Sequence, residues 1–110
     1  LSLTSPAIIE KVVGKSVTIT YVTDFADNDI FNFEINYNNS QIASGTKGVF
    51  DKTPSTPFGN RLGTSSSLQS QKKYSLRIDN LKYNDTGLFF AEIRIFGSNL
   101  KANSTTNLII

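Results

Sequence analysis

Short runs of alternating polar and apolar residues constrain the fold of this chain more than any other feature. In residues 16–21, Val17, Ile19 and Tyr21 fall on one side of an extended backbone, and polar residues fall on the other. Residues 31–38 repeat the pattern, with four residues predicted to point inward: Phe31, Phe33, Ile35 and Tyr37. Because Asn, Asp, Gly, Ser and Pro separate such runs and no helical period occurs, the sequence predicts an all-β fold.

Weaker runs supply the remaining strands. A turn is predicted at residues 38–41, and further strands are predicted around residues 42–44, 74–78 and 104–110. In the second of these, Leu76 and Ile78 are expected to point inward. The segment 45–59 is predicted to be a loop or a weak edge strand, because its prolines discourage pairing with another chain.

The length and composition of the chain limit the classes of function that we expect. With 110 residues, the chain can bury one core, so we expect a single domain over residues 1–110. The sequence contains no His, Cys, Met or Trp, which removes most groups used in catalysis at neutral pH. No nucleophile stands beside an activating base, and the net charge of +2 is scattered. We therefore expect neither an enzyme nor a nucleic-acid binder, and no cofactor or small-molecule substrate.

Two predicted loops give an alternative ligand site. The loops at residues 24–29 and 96–101 could form a tip that captures a different ligand. Asp24, Asp27 and Asp29 lie in the first loop, but their spacing lacks the glycine turn and terminal glutamate of a known calcium loop. No metal site is predicted there.

The segment 79–91 resembles the E–F corner and F strand of immunoglobulin variable-type (V-set) domains. That family reads Asp-x-Gly/Ala-x-Tyr-x-Cys, and Asp85, Gly87 and Phe89 fall in register with it. Ala91 stands where the sheet-bridging cysteine belongs, and Phe89 lacks the hydroxyl of the usual tyrosine corner. The resemblance implies a V-set β-sandwich of two antiparallel sheets, here without a disulfide.

Other residues extend the resemblance. After Gly14, residues 16–21 are similar to the B strand and place Tyr21 at the first cysteine position, while Ile35 stands where the core tryptophan would be. The resemblance implies an ion pair between Arg61 and Asp85. Tyr21 either fills the volume of the absent disulfide by reaching toward Ala91, or packs on its neighbours with its hydroxyl at the rim.

The subgroup that the chain resembles carries the functional expectation. The N-terminal domains of vertebrate SLAM-family receptors are similar to this chain in segments 14–19, 35–43, 60–62 and 74–87. The absence of the core tryptophan together with both cysteines resembles colonial hydroid allorecognition receptors more closely. Both groups imply adhesion in which the first domain binds a domain on an opposing cell, often a copy of itself, so we expect binding to the same or a closely related domain on another cell. They also imply an extracellular ectodomain of a single-pass plasma-membrane receptor, anchored through segments outside this chain.

The alternation of inward and outward residues along each strand predicts which surface would bind a partner. The run at residues 31–38 corresponds to strand C of the V-set family. Residues of strands C and F that do not point inward should line the outside of one sheet. The candidates are Asn32, Glu34, Asn36, Leu88, Phe90, Glu92 and Arg94, with Asn38 at the end of strand C. Three alternatives stay open: a solvated face with no partner, a heterophilic receptor or ligand-binding domain, and a structural spacer.

Three sequons, with acceptors Asn38, Asn84 and Asn103, are compatible with a glycosylated extracellular surface.

Overall fold

The computed structural model describes residues 2–24, 30–46, 49–53, 56–66, 73–95 and 101–110. These residues contain no α-helix and two 3₁₀ turns, Gly59–Arg61 and Tyr83–Asp85. Their strands are β1 Leu3–Thr4, β2 Ile8–Glu10, β3 Val17–Thr23, β4 Ile30–Tyr37, β5 Ser40–Thr46, β6 Val49–Lys52, β7 Leu62–Ser66, β8 Lys73–Ile78, β9 Gly87–Ile95 and β10 Lys101–Ile109. The predicted all-β class is confirmed.

The strands form two sheets. One has four strands in the order β1-β3-β8-β7, and the other has six in the order β2-β10-β9-β4-β5-β6. Buried apolar residues from both sheets form one core cluster, an arrangement compatible with a β-sandwich. Lys52 on β6 helps to join the sheets, since its Nζ donates a hydrogen bond of 3.2 Å to the carbonyl oxygen of Leu62 on β7.

The inward residues predicted from alternation are buried. Val17, Ile19 and Tyr21 on β3, and Leu76 and Ile78 on β8, are at most 2% exposed. Phe33, Ile35 and Tyr37 on β4 are also in the core. The side chain of Phe31 lies outside the described part of the chain. Burial of alternate residues on both sheets confirms the predicted parity.

The prediction of two antiparallel sheets is wrong for one pair of strands. β1 pairs with β3 in antiparallel fashion, whereas β2 pairs with β10 in parallel, with Ile9 opposite Leu108. Pro6 lies between β1 and β2 and has no N–H to donate to a ladder. The chain leaves the first sheet at this break and joins the edge of the second, where its direction matches that of β10.

Two strand ends differ from the alternating runs. The run at residues 31–38 extends to Asn38, but β4 ends at Tyr37, and Asn38 and Asn39 form a two-residue turn with φ values of 47° and 71° inside the turn predicted at residues 38–41. Asn tolerates this left-handed conformation, which suits a tight hairpin between β4 and β5. The last strand begins at Lys101 instead of residue 104. On β5 the register shifts beside Ile35, so that Ile42 and Ala43 are both fully buried.

Aromatic rings pack together at two places in the core. Phe33 lies 5.9 Å from Tyr21, 5.2 Å from Phe50 and 4.7 Å from Tyr74 between ring centroids. Tyr21, at the first cysteine position, thus meets the facing sheet at Phe33. Its side chain is 0% exposed, and its hydroxyl finds no hydrogen-bond partner among the described residues. The predicted alternative of a hydroxyl at the rim is therefore wrong.

The second aromatic group supports the corner that precedes β9. Tyr37 and Phe89 are directly opposite on β4 and β9, with centroids 4.9 Å apart, and Phe58 lies 4.7 Å from Tyr37. The hydroxyl of Tyr37 donates to the carbonyl oxygen of Asn84 at 3.1 Å. Tyr37 therefore ties the end of β4 to the 3₁₀ turn before β9 through its hydroxyl, a group that Phe89 lacks.

The predicted ion pair between Arg61 and Asp85 is present. Two guanidinium nitrogens of Arg61 donate to the two carboxylate oxygens of Asp85, at 2.6 and 3.0 Å, and the Lys82 amide donates to Asp85 at 2.9 Å. Burial disfavours the charge on Asp85, but these donors outweigh burial and lower the pKa of Asp85. The hydrogen bond to Asp85 raises the pKa of Arg61.

Gly87 is required by close packing at the same place. A Cβ built on Gly87 would lie 2.7 Å from Cε1 of Tyr37 and 2.7 Å from Oδ1 of Asn38. The Asn38 Oδ1 also accepts a hydrogen bond of 3.0 Å from the Leu88 amide. Any larger residue at position 87 would displace the start of β9 from the β4–β5 turn.

Candidate protein-binding face

The outward residues predicted on strands C and F lie together on the six-stranded sheet. We call this surface the β4–β9 face, and it consists of Asn32, Glu34, Asn36, Leu88, Phe90, Glu92 and Arg94. β4 and β9 are direct neighbours, and their register sets Asn32 opposite Arg94, Glu34 opposite Glu92 and Asn36 opposite Phe90. Leu88 lies at the turn, where its carbonyl oxygen accepts from the Asn38 amide at 3.0 Å.

Two acidic residues face each other at the centre of this surface. Glu34 and Glu92 are direct cross-strand partners, and both are partly exposed. Like charges in directly opposite positions destabilise a sheet, because the Cβ atoms are only about 5 Å apart. The register therefore places an electrostatic conflict in the middle of the face, and strand parity alone did not predict it.

Each acid is partly compensated by a neighbour on its own strand. Asn32 Nδ2 donates to Glu34 Oε1 at 2.8 Å, and Arg94 Nε donates to Glu92 Oε1 at 3.0 Å. The side chain of Arg94 is 55% exposed, whereas that of Glu92 is 17% exposed. The contact with Glu92 uses only Nε, so the terminal nitrogens of the guanidinium keep their capacity to bind a further carboxylate.

Adjacent strands extend the charge pattern into two rows. Lys101 on β10 is opposite Arg94, which gives a basic row. On the β5 side of β4, Glu34 is opposite Ser44 of β5, and Ser44 is opposite Asp51 of β6. Asp51 therefore lies in the same cross-strand row as Glu34. An acidic row that contains Glu92, Glu34 and Asp51 thus lies beside a basic row that contains Arg94 and Lys101.

Apolar side chains border the charged rows. Leu88 on β9 is 48% exposed, and Ile8 on β2 is 61% exposed. Both are paired with Asn107 of β10, which lies between them. Ile109, further along β10, is 39% exposed. Phe90 was expected to be an exposed aromatic, but it is only partly exposed, between its cross-strand neighbours Asn36 and Thr105.

Ile8 and Ile109 were missed by the sequence reasoning. The alternation of β10 gives a signal for Ile109, since positions 103, 105, 107 and 109 are all exposed. No such signal exists for Ile8, because its place depends on the parallel pairing of β2 with β10.

The sequons lie at three different places. Asn38 lies in the β4–β5 turn, Asn84 in the second 3₁₀ turn and Asn103 on β10, and all three are exposed.

The loop-tip alternative falls largely on residues that the structure does not describe. Asp27, Asp29 and the segments 25–29 and 96–100 lie outside the described residues. Asp24 is described and is exposed, and it accepts a hydrogen bond of 2.8 Å from the Ser2 amide. Within the described ranges, no group of three acidic residues could hold a metal ion. No helix in these ranges has the length and apolar character needed to cross a membrane.

No protein-family model matches this sequence, and no curated protein matches it.

Proposed function

We propose that this chain is an immunoglobulin-like V-set domain of a cell-surface recognition receptor. The order of the strands supports the fold assignment. In a variable-type domain, strands A, B, E and D form one sheet, and strands G, F, C, C′ and C″ form the other. β1, β3, β8 and β7 correspond to the first set, and β10, β9, β4, β5 and β6 correspond to the second.

The corner before β9 supports the same assignment. The resemblance implies a pair between the residue before strand D and the aspartate of the E–F corner, and Arg61 and Asp85 make a two-contact ion pair there. This sandwich has no cysteine, so its two sheets are held by packing. The hydroxyl of Tyr37 donates to the carbonyl oxygen of Asn84 at this corner.

We propose that the β4–β9 face binds a copy of the same domain on an opposing cell. The observation that carries this proposal is the pairing of Glu34 with Glu92 beside the exposed Arg94. A monomer gains nothing from two opposed carboxylates. A second molecule that brings a guanidinium to Glu34 would relieve the repulsion and would be held by a charge-assisted hydrogen bond.

Self-association follows from the arrangement of the rows. In a two-fold contact, each surface patch meets its own copy, so that residue i touches residue j and j touches i. An acidic row next to a basic row satisfies this condition, because Arg94 of each copy can meet Glu34 of the other. The apolar border of Leu88 and Ile8 would give the contact a surface that excludes water.

A contact of this kind favours specificity over affinity. A variant partner that places like charges together carries an electrostatic cost, so a few charged positions are enough to discriminate between partners. The affinity of a single pair can be weak, because many copies between two membranes act together. This matches what a receptor that compares cells requires. We place the domain outside the cell, anchored through segments beyond this chain.

Beads coated with the domain provide the test. The parent protein is expected to cluster its own beads, and a Phe90→Ala variant that also carries Arg94→Glu is expected to lose clustering while it still unfolds cooperatively on heating, which shows that it is folded. Arg77→Glu is a matched control, because Arg77 is 60% exposed and pairs with Asp79, two residues away, at 2.8 Å on the other sheet.

The outcomes separate the three kinds of protein. Undiminished clustering of the Phe90→Ala, Arg94→Glu variant would exclude the β4–β9 face. Clustering only with beads that carry a different protein would indicate a heterophilic receptor. Beads that cluster with neither would indicate a spacer domain.

A further inference from the structure

The three sequons differ in their relation to the β4–β9 face. Asn84 lies in the 3₁₀ turn beside Asp85, at the corner, and its main-chain carbonyl accepts a hydrogen bond from Tyr37. Asn38 is held by the fold. Its Oδ1 accepts from the Leu88 amide at 3.0 Å, and its Nδ2 would lie 2.8 Å from a Cβ placed on Gly87.

Asn103 lies beside the centre of the face. It is an exposed residue of β10 and is directly opposite Glu92 of β9. Thr105, the hydroxyl residue that completes its sequon, is opposite Phe90. Directly opposite side chains on one face of a sheet are in contact distance of each other. Asn103 is therefore the cross-strand neighbour of Glu92, which itself lies opposite Glu34 and bonds to Arg94, the two residues that we propose to make the contact.

We infer that Asn103 is a modification site for an N-linked oligosaccharide and that partial occupancy there regulates the β4–β9 face: copies that carry the oligosaccharide cannot self-recognise, and copies that lack it can. This inference rests on the proposed function. The oligosaccharide comes from a lipid-linked pyrophosphate donor, and a bond forms between C1 of the first sugar and Asn103 Nδ2. The bond between C1 and the pyrophosphate oxygen breaks, the pyrophosphate leaves with the electron pair, and the amide nitrogen loses one proton.

The block is steric and also involves hydration. An N-linked oligosaccharide is bulky and strongly solvated. The centre of a protein contact must be packed closely and excluded from water, and a glycan next to Glu92 prevents both. Since a two-fold contact brings in Asn103 from each copy, one occupied copy is enough to prevent pairing. An oligosaccharide at Asn84 has no such effect, because Asn84 lies at the corner.

The experiment compares protein from two sources. Chain from bacteria carries no N-linked oligosaccharide, and its beads are expected to cluster. Chain secreted from animal cells is expected to carry an oligosaccharide at Asn103 in part of the molecules by mass spectrometry, and beads coated with the occupied molecules are expected to lose clustering. Secreted Asn103→Gln is expected to regain clustering. The occupied molecules of secreted Asn84→Gln are the matched control and are expected to stay dispersed, as are those of Thr105→Ser, which keeps the sequon.

Failure of this inference differs from failure of the proposed function. If the bacterial protein does not cluster, the homophilic function is wrong, and the inference falls with it. If the bacterial protein clusters and the secreted protein, occupied at Asn103, clusters equally well, only the inference is wrong. An Asn103 that carries no oligosaccharide in the secreted protein also overturns it, as does recovery of clustering by Asn84→Gln.

Discussion

The acidic residues on the two sides of strand β9 have opposite electrostatic surroundings. On the inward side, Phe89 and Ala91 are fully buried, and the acid that precedes the strand, Asp85, receives three hydrogen bonds. On the outward side, Glu92 faces the like-charged Glu34 across the ladder. A buried acid is tolerated only when it is paired, whereas a conflict between partly exposed acids can be relieved by water or by a partner. The inward side of the strand therefore contributes stability, and the outward side carries the recognition that we propose.

Two buried tyrosines in the core differ in the hydrogen bonding of their hydroxyl groups. The hydroxyl of Tyr37 donates to the Asn84 carbonyl oxygen at 3.1 Å, whereas the hydroxyl of Tyr21 has no partner among the described residues. Burial raises the pKa of both phenols, and the charge of Asp85 adds to the shift at Tyr37. Tyr37 thus contributes through its hydroxyl, and Tyr21 contributes through its ring alone.

The largest loss of stability is expected from breaking the ion pair between Arg61 and Asp85 at the corner before β9. Asp85→Ala leaves the guanidinium of Arg61, whose side chain is 18% exposed, without its carboxylate. Removal of one partner of a largely buried pair costs about 3–5 kcal/mol, and we expect a loss near the lower end in the free energy of unfolding. Denaturant unfolding measures this loss. Asp79→Ala is the control, because its pair with Arg77 is exposed and therefore contributes little to stability. Equal losses for the two variants would contradict the role of the corner.

The next effect compares the two tyrosines. Tyr37→Phe removes the hydrogen bond to Asn84 and leaves that carbonyl without the hydroxyl, so we expect a loss of about 1–2 kcal/mol in the free energy of unfolding. Tyr21→Phe removes a buried hydroxyl that has no described partner, so we expect no loss or a small gain. Both variants are compared by thermal and denaturant unfolding. A larger loss for Tyr21→Phe than for Tyr37→Phe would reverse the account.

The corner also predicts a dependence on pH. The folded-state pKa of Asp85 is lowered below its usual 3.8, so its contribution is fully present above that value and is lost as the pH falls through the folded pKa. We expect the melting temperature of the parent to fall below about pH 4, and that of Asp85→Asn to fall less. Melting curves between neutral pH and about pH 2 measure the difference. Parallel curves would show that Asp85 does not link stability to protons.

Much of the inward side could be predicted from the sequence. Alternation placed Val17, Ile19, Phe33 and Ile35 correctly, because a residue's side of a strand depends only on its local spacing. The pairing of Arg61 with Asp85 followed from one motif. The role of Tyr37 could not be found in this way, because its hydroxyl reaches a carbonyl on a different element. The parallel pairing of β2 was missed because it follows from the break at Pro6.

Less of the outward side could be predicted. Parity selected Glu34, Glu92 and Arg94 as outward residues, but their meaning depends on the register, which sets Glu34 against Glu92. Register is fixed by the burial of the other side and by the turn at residues 38 and 39, so it is a property of the whole sheet. The same holds for Asn103, whose sequon was visible but whose place opposite Glu92 was not.

The smallest change in stability is expected on the outward side. Glu34→Gln removes one of the two opposed charges and keeps the size of the side chain, so we expect the free energy of unfolding to rise by about 0.2–0.5 kcal/mol. The same variant should cluster less than the parent, since it removes the acid that we propose to bind Arg94 of another copy. Thr18→Val, at an exposed site of the other sheet, is a control for clustering. A destabilised Glu34→Gln with unchanged clustering would contradict the separation of the two sides.

Exchange of the charges between two copies tests the central claim most directly. In Arg94→Glu, both copies present an acid to Glu34, and in Glu34→Arg, both present a base to Arg94, so neither variant should cluster its own beads. When the two kinds of bead are mixed, the introduced acid of one variant meets the introduced base of the other. The native Glu34 of the first variant meets the native Arg94 of the second, so mixed clusters should form. Mixed beads that stay dispersed while the parent clusters, or variants that still cluster alone, would contradict self-recognition through this face.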